Sequence, residues 1–249
     1  MKLDRRALLA ASIAAPWMFA SKASAKAKPP AGVDWGAWFH SWFEKDFGMV
    51  GYYADENAEL LASKIAVDVI FMGDSITENW KDKRPSFFTR GRIDRGISGQ
   101  TTSQMVLRMM SDVVALRPRA VHIMGGTNDI AGNTGPMTRE MSEDNARAMI
   151  DIAQRHGIKV IIASVPPAAS FPWAPRIRSR PLIADFNRRL ERIARETRAT
   201  WVDYHSVLDD GSNAMKPGLA VDGVHPTEAG YDAMQRLIEP VLSKVLARA

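Results

Sequence analysis

The chain has 249 residues, 46% of them hydrophobic and 24% charged, enough for one sizeable core and typical of a folded domain. It has no cysteine, which excludes disulfides, thiolate nucleophiles and cysteine metal sites together. The formal net charge is +5, but Lys2, Arg5, Arg6 and Lys22 against Asp4 place +3 of it in residues 1–25 and leave +2 for the remainder, so charge makes no case for a nucleic-acid partner.

Residues 1–25 read as an export signal. A basic start precedes the small-to-apolar run from Ala7 to Ala15, and Ala23-Ser24-Ala25 supplies the small-x-small pattern that a signal peptidase cuts after. Arg5-Arg6-Ala7-Leu8-Leu9 also fits a twin-arginine signal; an ordinary secretory start holding two arginines fits equally well. Pro16 interrupts the run, which argues against a retained anchor or stable membrane insertion. A periplasmic or secreted protein beginning near Lys26 is expected.

Residues 26–66 form a leader followed by an aromatic segment. Trp35, Trp38, Phe39, Trp42, Phe43 and Phe47 recur at helical spacing, which predicts an amphipathic helix laying its rings on the core. From 67 to 249 short apolar runs alternate with helical patterns in one catalytic-domain-sized block. Residues 67–72, 120–124 and 158–163 read as buried strands, with shorter strands at Ile93 and at 200–203. Residues 138–156 read as a helix ended by Gly157. Leu182, Ile183, Phe186 and Leu190 mark one face of the next helix, and Met234, Ile238, Leu242 and Val245 one face of the last. Such alternation predicts an α/β fold with a parallel sheet of about five strands, helices on both faces, and sites at the carboxyl ends of the strands.

Three loops fall at those ends. Gly73-Asp74-Ser75-Ile76-Thr77 follows the first strand and enters a helix. A serine there sits on a tight turn near a helix N-terminus, where negative charge is favoured, and is a candidate nucleophile; a plain helix cap is the alternative. Gly125-Gly126-Thr127-Asn128-Asp129 follows the strand at 120–124. The Asn128 amide could donate to a developing oxyanion there, or the segment could simply be a turn. Gly96-Ile97-Ser98-Gly99-Gln100 offers a backbone N–H from Gly99 at the same end of the sheet.

A base must come from five histidines. His122 lies inside a strand as a core residue, His156 at a helix C-terminus, and His40 in the aromatic segment. His225 sits in the turn-rich stretch Asp222-Gly223-Val224-His225-Pro226, where the Asp222 carboxylate can reach Nδ1 and leave Nε2 free to take a serine proton. His205 follows the last strand and remains a rival.

In this order the blocks resemble the SGNH (GDSL-type) hydrolase family, from about residue 68 to the C-terminus. Gly73-Asp74-Ser75 resembles its first block, Gly99 its glycine block, Gly126-Thr127-Asn128-Asp129 its third and Asp222-x-x-His225 its last. The resemblance implies a flavodoxin-like three-layer α/β/α sandwich. It implies a Ser75–His225–Asp222 triad, with an oxyanion hole of the Ser75 and Gly99 N–H groups and the Asn128 side chain. It also implies that Asp74 and Asp129 hold turns. The expected activity is hydrolysis of carboxylic esters through an acyl-enzyme, without cofactor or metal, on a small-molecule or glycan ester. Short acyl groups are favoured because little sequence is left for a lid or an acyl tunnel, and Phe171 and Trp173 are candidate substrate contacts. The same family covers lysophospholipase, arylesterase and thioesterase activities. Outside it, Asp74, Asn128, Asp129 and His225 could be drawn as ligands of a metal-dependent phosphoesterase, but no His-x-His pair accompanies them and a two-metal site usually needs more histidine than this. A non-catalytic binding domain would not require Ser75, Asn128 and His225 together.

Overall fold

The computed structural model describes residues 34–89 and 91–247; the segment expected to be an export signal and most of the expected leader lie outside the described residues. Helices α1 (Trp35–Lys45) and α2 (Ala54–Ser63) precede the sheet. Then come β1 (Val69–Gly73), α3 (Ser75–Lys83), β2 (Arg92–Gly96), α4 (Thr102–Arg108), β3 (Ala120–Met124) and α5 (Thr127–Ala131). The chain continues through α6 (Arg139–Arg155), β4 (Lys159–Ala163), α7 (Ser179–Thr197), β5 (Thr200–Val202), α8 (Tyr204–Leu208) and α9 (Glu228–Ala247).

The five strands pair in parallel in the order β2-β1-β3-β4-β5. This is a flavodoxin-like doubly wound sheet, and β1 stands at the point where successive crossovers turn in opposite directions. Alternate side chains fill two layers, as a pleated strand requires. Ile70, Met72, Val121, Ile123, Val160 and Ile162 pack with Met105, Met149, Ile183, Phe186 and Leu190 of α4, α6 and α7. Val69, Phe71, Ile161 and Val202 pack with Ile76 and Trp80 of α3, Tyr204 of α8 and Tyr231, Met234, Ile238 and Leu242 of α9. Trp80 carries much of the second layer, stacking on Phe87 at 4.9 Å and on Tyr231 at 5.5 Å between ring centroids.

The elements sit close to where the apolar pattern places them. The helix expected over 138–156 is α6, with the Thr138 hydroxyl capping Met141 N, His156 as C-cap and Gly157 at φ +72°. The aromatic helix forms with Asp34 as N-cap. Its rings do not join either main layer. Phe39, partly buried Trp38, Trp42 and Phe43, and Met49, Tyr52, Tyr53 and Ile97 make a separate small cluster over the carboxyl end of the sheet. Phe47 lies past the helix and is 41% exposed.

A buried polar network binds this end together. The Arg108 guanidinium is fully buried and pairs with Asp112 at 2.6 Å. It also donates to Gln100 Oε1 at 2.8 Å, to the Arg95 carbonyl at 3.0 Å and, at a longer 3.4 Å, to the Gly73 carbonyl. One side chain thus ties the last residues of β1 and β2 to the loop that leads into its own helix. Replacing Arg108 by Met would keep the aliphatic stem and leave the Asp112 charge without its cation. Equilibrium urea unfolding of this variant is expected to show a loss of about 3–5 kcal/mol, the cost of breaking a buried pair from one side.

Candidate active site

The loops after β1, β2 and β3 converge at one end of the sheet. After β1, Asp74 caps α3 by accepting Ile76 N–H at 3.0 Å, which leaves Ser75 as the first residue of the helix. Burial pushes the Asp74 carboxyl up to about 6 even though the Ile76 N–H favours its charged form. After β2, Gly99 adopts φ +81°, a left-handed conformation that a β-carbon disfavours. After β3, Asn128 lies on the single turn of α5 and is buried. Asp129 beside it accepts from Thr102 N at 2.9 Å, from the Thr102 hydroxyl and from Ser142 Oγ at 3.0 Å. Asp74 and Asp129 are thus occupied with holding α3 and α4 in place.

His225 reaches Ser75 from the loop before α9. Its Nε2 lies 2.9 Å from Ser75 Oγ, and its Nδ1 lies 2.7 Å from Asp222 Oδ2. The other Asp222 oxygen accepts the backbone N–H groups of Val224 at 2.9 Å and His225 at 2.8 Å. Partial burial raises the Asp222 carboxyl, but these hydrogen bonds outweigh it, so it stays below the ordinary carboxylate range. The three-residue spacing works because the Asp222 side chain closes a small turn over its own backbone.

Opposite the imidazole, the Ser75 and Gly99 N–H groups find no protein acceptor among the described residues. Asn128 Nδ2 gives one hydrogen to the Gln100 carbonyl at 2.9 Å. Its second hydrogen has no protein acceptor among the described residues. Ser75, Gly99, Asn128 and His225 line a common open cavity of about 470 Å³.

His205 and His122 stand apart from the cavity. His205 is at the start of α8, and its backbone N–H goes to Ser164 Oγ. His122 is fully buried in β3 with the Tyr204 hydroxyl at 3.1 Å, and burial pushes its imidazole down to about 3. His40 lies in α1, as its place in the aromatic segment implies, and with Gly36 and Phe39 it also lines the cavity, which the sequence did not show. Helical periodicity marks the apolar stripe of α1, but it cannot say which loop cluster the stripe will cover.

The two aromatic candidates separate. Trp173 is 44% exposed and lines the cavity with its ring 6.0 Å from that of His225. Phe171 is fully buried and stacks beneath Trp173 at 5.5 Å, so it supports the exposed ring and offers no face to a ligand. Two supporting groups escaped sequence reading. Glu78 of α3 accepts the Ser98 N–H at 2.9 Å, the Ser98 hydroxyl and the Tyr52 hydroxyl at 2.8 Å, holding the Gly99 turn from below. Asn133 bridges Asn128 and Trp173. A surface-compatible Glu and Asn carry no local signal of such roles. Among the described residues, no three His, Asp or Glu side chains gather as metal ligands would.

A parallel α/β/α sandwich with a serine, an imidazole and amide donors at its strand ends is the framework of an acyl-transfer hydrolase. Residues 71–233 match the GDSL-like lipase/acylhydrolase family, and the chain belongs to that family as a carboxylic ester hydrolase. It is 28% identical over 152 residues to the acetylxylan esterase of Geobacillus stearothermophilus, covering 58% of this chain and 68% of that one. It is 33% identical over 118 residues to an uncharacterized lipoprotein of Bacillus subtilis, covering 40% of this chain but only 49%, about half, of that relative. Among solved structures, a GDSL-like lipase from Bacteroides thetaiotaomicron is 41% identical and superposes with a TM-score of 0.76, covering 80% of this chain and 99% of that one.

His122 provides a test of how dry the sheet interior is. Its folded-state value near 3 lies below the ordinary 6.5. Between those values the unfolded chain binds a proton that the native state does not, so the contribution of His122 to stability falls as pH falls. The stability of the wild type relative to His122→Phe is therefore expected to decline by about 1.4 kcal/mol per pH unit between pH 6.5 and 3. Urea unfolding of both proteins across that window measures it, and a difference independent of pH would contradict it.

Proposed function

We propose that the protein is an exported serine esterase that removes short acyl groups, above all acetyl, from neutral carbohydrate esters. The observation that carries the catalytic part is the continuous chain Ser75 Oγ–His225 Nε2 and His225 Nδ1–Asp222 Oδ2, at 2.9 and 2.7 Å. In this reading Ser75 attacks the ester carbonyl while Nε2 takes its proton, and Asp222 holds the imidazole in the required tautomer. The oxyanion is met by the N–H groups of Ser75 and Gly99 and by Asn128 Nδ2. As the intermediate collapses, the imidazolium gives its proton to the leaving alcohol. Water activated by the same His225 then releases the acid from Ser75 and restores the enzyme.

The substrate part rests on the cavity. Among the described residues that line it none is Lys, Arg, Asp or Glu, so they offer no fixed charge to a phosphate or carboxylate headgroup. The exposed ring of Trp173 and the amide and hydroxyl side chains of Asn79 and Ser98 are among the cavity's lining. That pairing suits a pyranose, with apolar C–H faces for a ring and equatorial hydroxyls for amides. The loop arginines do not compete with this: Arg180 is spent on Ser212, and Arg176 and Arg178 do not line the cavity. Similarity to an acetylxylan esterase supports the same substrate class. Similarity to a lipoprotein and the pattern of residues 1–25 support export. Among the described residues no helix is long and apolar enough to cross a membrane. Residues 26–66 are read as leader and cap, and 67–249 as the catalytic domain.

Ser75→Ala is expected to lower kcat/KM by about 10⁴-fold or more and to abolish labelling by an organophosphate, while the circular-dichroism spectrum stays native. Asp222→Asn is expected to lower kcat by about 10²- to 10⁴-fold through loss of the productive tautomer. Full labelling of the Ser75→Ala protein would refute the nucleophile. For the substrate, kcat/KM on p-nitrophenyl esters should fall beyond butyrate, and acetylated xylo-oligosaccharides should be better substrates than lysophospholipids. A maximum at octanoate or longer would point to a lipid-type site instead.

A further inference from the structure

We infer that Asn133 is a positioning residue that sets the orientation of the Asn128 amide, an inference that rests on the oxyanion role proposed for Asn128. A carboxamide fits its site in two orientations of nearly equal shape. In one, Nδ2 meets the developing negative oxygen; in the other, the partly negative Oδ1 is turned against it. Something must decide between them.

The contacts form a chain with a single consistent sense. The Trp173 indole N–H, which can only donate, points to Asn133 Oδ1 at 3.1 Å. Asn133 therefore presents its Nδ2 on the other side, where one hydrogen goes to Asn128 Oδ1 at 2.9 Å and the other to the Gly99 carbonyl at 3.3 Å. With Oδ1 so engaged, Asn128 has its Nδ2 on the opposite side, where the Gln100 carbonyl takes one hydrogen at 2.9 Å. The second hydrogen is left for substrate. The Asn133 backbone N–H also donates to the Asn128 carbonyl at 3.0 Å, which fixes the distance between the two residues. Both Nδ2 hydrogens of Asn133 and one lone pair of its Oδ1 are thus engaged by residues at the cavity. The donor-only indole fixes both amides, and the same ring forms the exposed platform on which an alcohol group would lie.

Three substitutions and a double-mutant cycle test this with p-nitrophenyl acetate and with a trifluoromethyl ketone, whose hemiketal with Ser75 would place its former carbonyl oxygen, as an oxyanion, on these donors. Asn133→Ala is expected to lower kcat about tenfold with KM within about twofold, and to weaken ketone inhibition in parallel, as loss of donor alignment should. Asn133→Asp keeps the volume but cannot donate to Asn128 Oδ1, so it should be worse than Ala. Trp173→Phe keeps the ring and loses the N–H, so it should lower kcat in the same way but less. In an Asn128→Ala background, Asn133→Ala should change kcat by less than about twofold, because the group it orients is gone. Unchanged kcat in Asn133→Ala and Asn133→Asp would overturn the inference. So would an equal loss with and without Asn128. Full activity of Asn128→Ala alone would remove the oxyanion reading itself, a separate failure.

Discussion

The buried guanidinium of Arg108 is the constraint on which the working end of the molecule depends. A parallel sheet ends in unpaired carbonyls, and burying those under loops is costly unless donors meet them. Arg108 meets the Gly73 carbonyl that ends β1, the Arg95 carbonyl near the end of β2 and the side chain of Gln100, while Asp112 balances its charge. Asn57 then satisfies Asp112 with its amide at 2.7 Å and accepts from Arg95 with its oxygen, joining α2 to the network. Loops that would otherwise need water are fixed relative to the strand ends that carry Ser75 and Gly99.

Around that anchor, the loop from Ile97 to Thr101 is held from three directions. Glu78 grips Ser98 from α3, Asn128 and Asn133 take the carbonyls of Gln100 and Gly99, and Gln100 Nε2 reaches across to the Gly48 carbonyl at 3.2 Å. The last contact, with Gln104 Nε2 on the Phe47 carbonyl at 2.7 Å, ties the segment after α1 to the same loop. The segment after α1 is therefore fastened by polar contacts to the loop after β2 and to α4, and α1 itself lines the cavity. A donor that stabilises charge only in the transition state is effective when it is already in place, and this layered support would hold the proposed Gly99 and Asn128 donors there.

Within each strand-end motif, labour is divided between neighbours. In Gly73-Asp74-Ser75 the aspartate caps the helix and the serine is presented to the cavity. In Asn128-Asp129 the carboxylate ties α4 and α6 together through Thr102 and Ser142, and the amide faces the site. Acid side chains do structural work where the cavity itself is kept free of fixed charge, which spares a developing oxyanion from repulsion.

The order of strands and helices, the parallel pairing and the three loops at the strand ends were legible in the sequence, because apolar period and turn chemistry act over a few residues. Ser75, Asn128 and the Asp222–His225 pair were candidates on local turn chemistry, but the full set, Gly99 included, was assembled only through the resemblance of the ordered blocks to a known family. Their meeting was not local: 150 residues separate Ser75 from His225, and only the packing of α9 against α3 brings them to hydrogen-bonding distance. The tertiary structure alone placed α1 over the cavity and made a wall of His40. It buried Phe171 beneath Trp173, gave Glu78 and Asn133 their supporting contacts, and set Arg108 under the strand ends. Those residues are ordinary in their own segments. Their roles come from partners far along the chain, and a polar side chain's function is fixed by which donors and acceptors folding leaves it to satisfy.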